Sequence, residues 1–170
     1  MGQPETVVRT ASAGELDRLV STLGQRPYFV DRLARQDRGE GVVLVAWSYG
    51  HPVGDVYLWR APANEPQIRM HLPGVPMLNH LEVRPDHRGR GIGTVIVDHA
   101  EQVASQLGYQ RVALGVGIDN PRAHRLYRRL GYVDWGHGRV ETSYATSAPD
   151  GSVRRFAETI HILLKTVVLG

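Results

Sequence analysis

Arg88, Gly91 and Gly93 stand in the stretch RPDHRGRGIGTVIV, residues 84–97, between one apolar run and the start of another. Glycines there let a backbone approach an anion with no Cβ in the way. A helix starting just after them would aim its first N–H groups and its positive dipole end at the same anion. Arg88 and Arg90 add charge. Two familiar phosphate loops do not fit. The dinucleotide fingerprint G-x-G-x-x-G fails from Gly89, where its last position is Thr94, and from Gly91, where it is Ile96. The P-loop needs a lysine before Ser or Thr, and this stretch has none. The spacing that remains is R-x-x-G-x-G over Arg88, Gly91 and Gly93.

Further along, Tyr127 could donate a proton to a leaving anion, because a phenol with a reference pKa near 10 is protonated at neutral pH. It also sits beside Leu126 and Leu130, where its ring could simply pack. Asn120 could bind a ligand or cap the helix opened by Pro121. Glu82, His80 and Asn79 share the run MLNHLEV, residues 77–83. Strand alternation turns Glu82 away from Leu81 and Val83. A histidine near pKa 6.5 suits a base acting through water. The eight histidines are scattered without metal-ligand spacing, and no cysteine is present, so no metal is expected. Disulfides and thiol nucleophiles are excluded outright.

These residues need elements to hold them. Thr6–Thr10 reads as a strand, and Ser12 with Glu15 offers a capping box for a helix carrying Leu16, Leu19, Val20 and Leu23. Pro27 opens a second helix that Gly39 ends. Val42–Ser48 and Val53–Trp59 read as an antiparallel pair, with Trp47, Tyr57 and Trp59 as packing residues. Residues 61–76, with Pro62, Pro66, Pro73 and Pro76, read as a long loop. Met77–Val83 is a strand, 92–107 a helix stopped by Gly108, and Arg111–Val116 a strand. Ala123, Leu126, Tyr127 and Leu130 give one face of a short helix that Gly131 stops. Two strand-like runs, RVETSYA and TIHILLKTV, flank an APDG turn. The expected fold is α/β, a mixed sheet with helices on its faces, in a single domain over 1–170.

The net charge of +3 and a sequence pI near 9.5 favour anionic ligands mildly. Arginine supplies nearly all of the base, Lys165 being the one lysine. Arg122, Arg125, Arg128 and Arg129 read as a solvated face. The modest charge disfavours nucleic acid as a partner. No apolar run reaches membrane-spanning length, so no membrane contact is expected. The start matches a myristoylation pattern through Gly2 and Thr6, which is short enough to arise by chance. A cytoplasmic location is expected from the missing cysteines and the absence of a signal peptide's basic start and apolar middle.

The R-x-x-G-x-G loop, the strand before it and the amphipathic helix after it resemble the acetyl-CoA loop of the GNAT superfamily of N-acetyltransferases. About 27 residues on, DNPRAHRLYRRLGY looks like that family's second motif, N-x-x-A-x-x-x-Y-x-x-x-G-[FY], on Asn120, Ala123, Tyr127, Gly131 and Tyr132. The resemblance covers Leu78 to Tyr132. It implies a GNAT-like, mostly antiparallel sheet with helices on both faces. It implies that backbone groups of Leu81 and Val83 pair with the pantetheine arm, the Val83 N–H near the thioester oxygen. It places the pyrophosphate on Arg88, Gly89, Arg90, Gly91, Ile92, Gly93 and Thr94, with Asn120 near the arm. Tyr127 would protonate the thiolate. Glu82 is the carboxylate candidate for base, beside His80, Asn79 or a water chain. The function implied is acetyl transfer from acetyl-CoA, with no metal, to a primary amine of a small molecule. The alternatives are a protein N-terminal or lysine acetyltransferase, or a non-catalytic acyl-CoA-binding regulatory module. A homodimer is compatible with this reading.

Overall fold

The computed structural model describes residues 5–167. Gly2, through which the myristoylation match runs, lies outside them. Strand β1 (Thr6–Thr10) pairs antiparallel with β2 (Gly41–Ser48), and β2 with β3 (His51–Trp59). Tyr49 and Gly50 turn that hairpin at φ 50° and 76°, the doubly left-handed turn whose twist matches its strands. Strand β4 (Met77–Val83) runs antiparallel to β3, and β5 (Arg111–Gly117) parallel to β4. Strands β6 (Val133–Asp134) and β7 (Val140–Ser147) both pair with the long β8 (Val153–Thr166), which runs antiparallel to β5. The sheet order is β1-β2-β3-β4-β5-β8-β6, with β7 on β8. One parallel pair among antiparallel ones makes the expected mixed sheet.

Helices α1 (Leu16–Leu23) and α2 (Arg26–Asp37) cover one face. Leu19, Phe29 and Leu33 pack there against Val43, Val45 and Tyr57. Helices α4 (Ile92–Gln106) and α5 (Pro121–Arg129) cover the other. Ile96, Val97 and Ala100 bury against Leu44, Val56 and Leu114. Each fully buried aliphatic side chain contributes roughly 1.5–3 kcal/mol, so the two faces are fixed by which residues alternate inward. Glu101 ties the second layer together. Its carboxylate accepts from Lys165 Nζ at 2.8 Å and from the Tyr132 hydroxyl at 2.9 Å.

The proline-rich region 61–76 is not only loop. It contains α3 (Pro66–His71), with Pro66 in the first turn. Ile68 and Leu72 bury against Ala113, Ile160 and Ile162. Six residues are too few to hold a helix alone, so packing on β5 and β8 sustains it. At the start of the chain, the Glu15 carboxylate accepts from the Ser12 N–H at 3.0 Å and from Arg9 Nη2 at 2.6 Å. The first turn there is 3-10, over Ala13–Glu15, before α1 proper.

Candidate active site

The sheet opens between β4 and β5. Their pairing is confined to Met77↔Ala113 and Leu78↔Leu114, yet β4 runs on to Val83 and β5 to Gly117. On its far side β4 stays bonded to β3, with Asp55↔Glu82 and Gly54↔Val83 in register. The Arg84 N–H donates to the Val53 carbonyl at 2.8 Å. In that antiparallel register the Val83 backbone groups point away from β3, into the opening. The Val83 carbonyl accepts from Arg88 Nε at 3.0 Å. Its N–H is left facing the gap, where an extended ligand arm could pair with it.

The glycine loop lies at the mouth of this opening. Gly89 and Gly91 both take φ +77°, and a Cβ on either would meet nothing within 4 Å. Gly91 is the N-cap residue of α4, so the loop ends where the helix presents its unpaired N–H groups. Gly89, Arg90 and Gly91 are exposed, Gly93 and Thr94 half-buried, and Ile92 anchors the turn in the core. Arg88 fastens the loop to the end of β4, and its guanidinium lies 3.9 Å from Glu82. Asn120 is a cap: its Oδ1 accepts from the Ala123 N–H at 3.1 Å. Tyr127 is half-buried on α5, with its ring edge-on to Tyr132 at 6.0 Å. Burial, and then the charge of Glu82, push its phenol up to about 12.

The other face of β4 lines a cavity of about 300 Å³, walled by Thr22, Gln25 and Phe29 from the α1–α2 corner and by Asp55, His80 and Glu82 from the sheet. Arg84 and Arg88 stand at its edge. Leu81 and Val83 pack instead toward the α4 side, so Glu82 faces away from them. Strict alternation would also have put Asn79 with Leu81. A β-bulge changes that. Between Asp55↔Glu82 and Tyr57↔Asn79, β3 advances two residues and β4 three. His80 absorbs the extra step at φ 62°. Asn79, His80 and Glu82 therefore all face the α1–α2 side. Asn79 accepts from Arg32 Nη2 at 3.3 Å, and the His80 ring stacks on Tyr28 at 4.0 Å.

Asp55 is the residue the sequence reading missed. It is 2% exposed, in the middle of an apolar strand, and its Oδ2 lies 3.2 Å from His80 Nδ1. Burial pushes its carboxyl up, and the hydrogen bond to His80 offsets part of that. Burial opposes the His80 imidazolium, but the hydrogen bond and charge of Asp55 outweigh it and hold His80 above the ordinary histidine value. An aspartate flanked by Gly54 and Val56 inside a buried strand was the available signal, since such residues are buried only when paired. No group of three or more potential metal ligands occurs among the described residues.

The sequence model of the Acetyltransferase (GNAT) family matches residues 14–132. The chain is 41% identical over 60 residues to an uncharacterized N-acetyltransferase of Methanocaldococcus jannaschii, covering 35% of this chain and 26% of that protein. It is 39% identical over 59 residues to a streptothricin acetyltransferase of Streptomyces lavendulae, covering 35% and 31%. The matches thus span about a third or less of those relatives. The fold is similar to that of an N-acetyltransferase of Thermoplasma acidophilum solved in complex with coenzyme A. The TM-score is 0.64 at 14% identity, over 95% of this chain and 99% of that one. With the family's model covering the chain from α1 to the end of the second motif, this protein belongs to the acetyltransferase (GNAT) family.

Proposed function

We propose that the protein transfers the acetyl group of acetyl-CoA to the primary amine of a small molecule. The observation that carries this reading is the opening between β4 and β5, with the glycine loop and the start of α4 at its mouth and a cavity lined by Asp55, His80 and Glu82 on the other face of β4. The donor fits the residues present. Gly89 and Gly91 leave open space above the loop, α4 supplies unpaired N–H groups, and the Val83 N–H faces the gap. Leu81, Val83 and the loop from Arg88 to Thr94 would hold the donor. Bound there, acetyl-CoA supplies an activated acyl group whose C–S bond can be exchanged for a C–N bond. The Val83 N–H, aimed at the carbonyl oxygen, would stabilise the charge that gathers on it, an effect of about 2.7–4 kcal/mol where it has been removed elsewhere. Tyr127 would donate a hydrogen bond to the departing sulfur.

The cavity favours a compact acceptor. It holds about 300 Å³, the low end for small-molecule sites, and its wall carries Asp55, His80 and Glu82 together with Arg84 and Arg88. A polypeptide strand would need a longer open groove. The test is acetyl-CoA binding by calorimetry, with thioester consumption measured against streptothricin, spermidine, lysine and a peptide with an alanine N-terminus. Binding together with turnover of one of the small amines supports the proposal. Turnover confined to the peptide would replace it with the protein-acetyltransferase reading, and binding with no turnover on any acceptor would favour a regulatory module.

A further inference from the structure

We propose that His80, oriented by Asp55, is the general base that takes the proton from the acceptor ammonium. This rests on the acetyltransferase reading above and adds to it the residue that makes the amine nucleophilic. The juxtaposition behind it is formed by pairing across the sheet. Alternation from Glu82 puts His80 on the α1–α2 face, where the bulge leaves it at positive φ, and the register with β3 brings Asp55 beneath its ring. Nδ1 is taken by Asp55 Oδ2 at 3.2 Å, and the ring is clamped flat against Tyr28 at 4.0 Å. A carboxylate accepting from Nδ1–H fixes the tautomer that carries its lone pair on Nε2. Nε2 is then the ring nitrogen left to take a proton, on a residue that lines the cavity.

A buried carboxylate is an expensive way to stabilise a sheet, since an apolar residue would pack there without desolvation cost. Orienting and charging an imidazole is a use that an apolar residue cannot serve. The charged and titratable groups around His80 are Tyr28 and Arg32 from α2, Asp55 from β3 and Glu82 from β4, with Arg84 and Arg88 at the rim. Asp55 and Glu82 favour the imidazolium and Arg32 opposes it. Glu82 is the weaker candidate for base, because it is exposed and paired loosely with Arg88.

The step balances as follows. His80 Nε2 takes one proton from the ammonium, leaving a neutral amine and an imidazolium facing Asp55. The freed nitrogen lone pair forms the C–N bond to the carbonyl carbon. The C–S electron pair leaves on sulfur, under the hydrogen bond of Tyr127. Nitrogen sheds its second proton, which ends on sulfur, and His80 returns its own to water. The sum is ammonium plus thioester giving amide, thiol and one proton.

The experiment has two arms. In the first, NMR titration of His80 in the whole protein should place its pKa above the ordinary value of about 6.5. Asp55→Asn should move it down. A pKa at or below the ordinary value, or one that ignores Asp55→Asn, overturns the dyad whatever the enzyme does. In the second, kcat/KM is followed against pH for the wild type, Asp55→Asn and His80→Asn. Asparagine tolerates the positive φ at this position, and unchanged acetyl-CoA affinity certifies the fold of each variant. His80→Asn should lose the inflection and fall about 10²–10⁴-fold. That loss should shrink with an acceptor of low amine pKa, which arrives already neutral. A loss independent of acceptor pKa, or an unaltered pH profile, overturns the base role and leaves the acetyltransferase reading standing. Absence of acetyl-CoA binding in the wild type would overturn that reading, and the base role with it.

Discussion

Replacing Tyr127 with phenylalanine should separate activity from stability, with opposite signs. The hydroxyl has no hydrogen-bond partner among the described residues, while the ring packs beside Tyr132. Removing a partly buried, unpaired hydroxyl costs nothing in contacts and relieves desolvation, by up to about 1 kcal/mol. For a chain of this size that raises Tm by between zero and about 4 °C. Activity should move the other way. At a pKa of about 12 the phenol keeps its proton across the working range. It sits about 3.5 pH units above a free thiol's reference of about 8.5, so handing the proton fully to a thiolate would cost about 5 kcal/mol. What the phenol can give cheaply is a hydrogen bond to charged sulfur, worth about 1.5–3 kcal/mol. At about 1.4 kcal/mol per decade, kcat should fall about 10- to 150-fold with acetyl-CoA affinity unchanged. Thermal melts, calorimetry and initial rates on one preparation read all three. Full turnover in the variant would make Tyr127 a packing residue only. A fall in Tm that matched the loss of rate would make the hydroxyl structural, and either result refutes the reasoning.

Gly91→Val should weaken acetyl-CoA binding and lower stability by about 1–2 kcal/mol, since φ is +77° there. Gly91→Asn should weaken binding with a smaller loss of stability, because asparagine accepts left-handed backbone; calorimetry and urea melts distinguish the two. Glu82→Gln should leave kcat nearly intact and raise KM for a cationic amine by about fivefold, the effect of one exposed charge. It should also lower the inflection of the pH profile, since Glu82 favours the His80 imidazolium. The hydrogen bond from Arg9, against some burial, lowers Glu15 from its ordinary value to about 2. A depressed carboxylate stabilises the fold above its unfolded pKa and loses that contribution as pH falls through the folded one. The urea midpoint of the wild type should therefore drop between about pH 4.5 and about pH 2, and Glu15→Gln should flatten that drop.

The elements that carry the proposed donor site could be read from the chain because their signals are local. Met77–Val83 is a short strand-like run between Pro76 and the Arg84-Pro85 pair, and 92–107 shows one apolar stripe closed by Gly108, which takes φ 95°. The proposed acceptor side could not be read, because it is made by pairing. A strand's period of two gives no warning of the bulge at His80, which appears only when β4 is laid against β3. Nor does the sequence say that β4 and β5 separate after Leu78. Asp55 could have been noticed as a charge inside an apolar strand, but its partner is 25 residues away. Helix α3 hid among prolines that signal loop, although Pro66 at its first turn is a common helix start. The two-residue β6 carries too little pattern to be seen.

The most direct measurement is a product balance. Acetyl-CoA and the protein are incubated with each small amine of the panel in turn, and free CoA thiol and N-acetylated amine are counted in the same mixture by mass spectrometry. One acetylated amine for each thiol released is the result expected, with both lost together in Gly91→Val. Thiol released without acetylated amine would show hydrolysis rather than transfer. Neither product with any of these amines, from a folded protein that binds acetyl-CoA, would contradict acetyl transfer to a small amine.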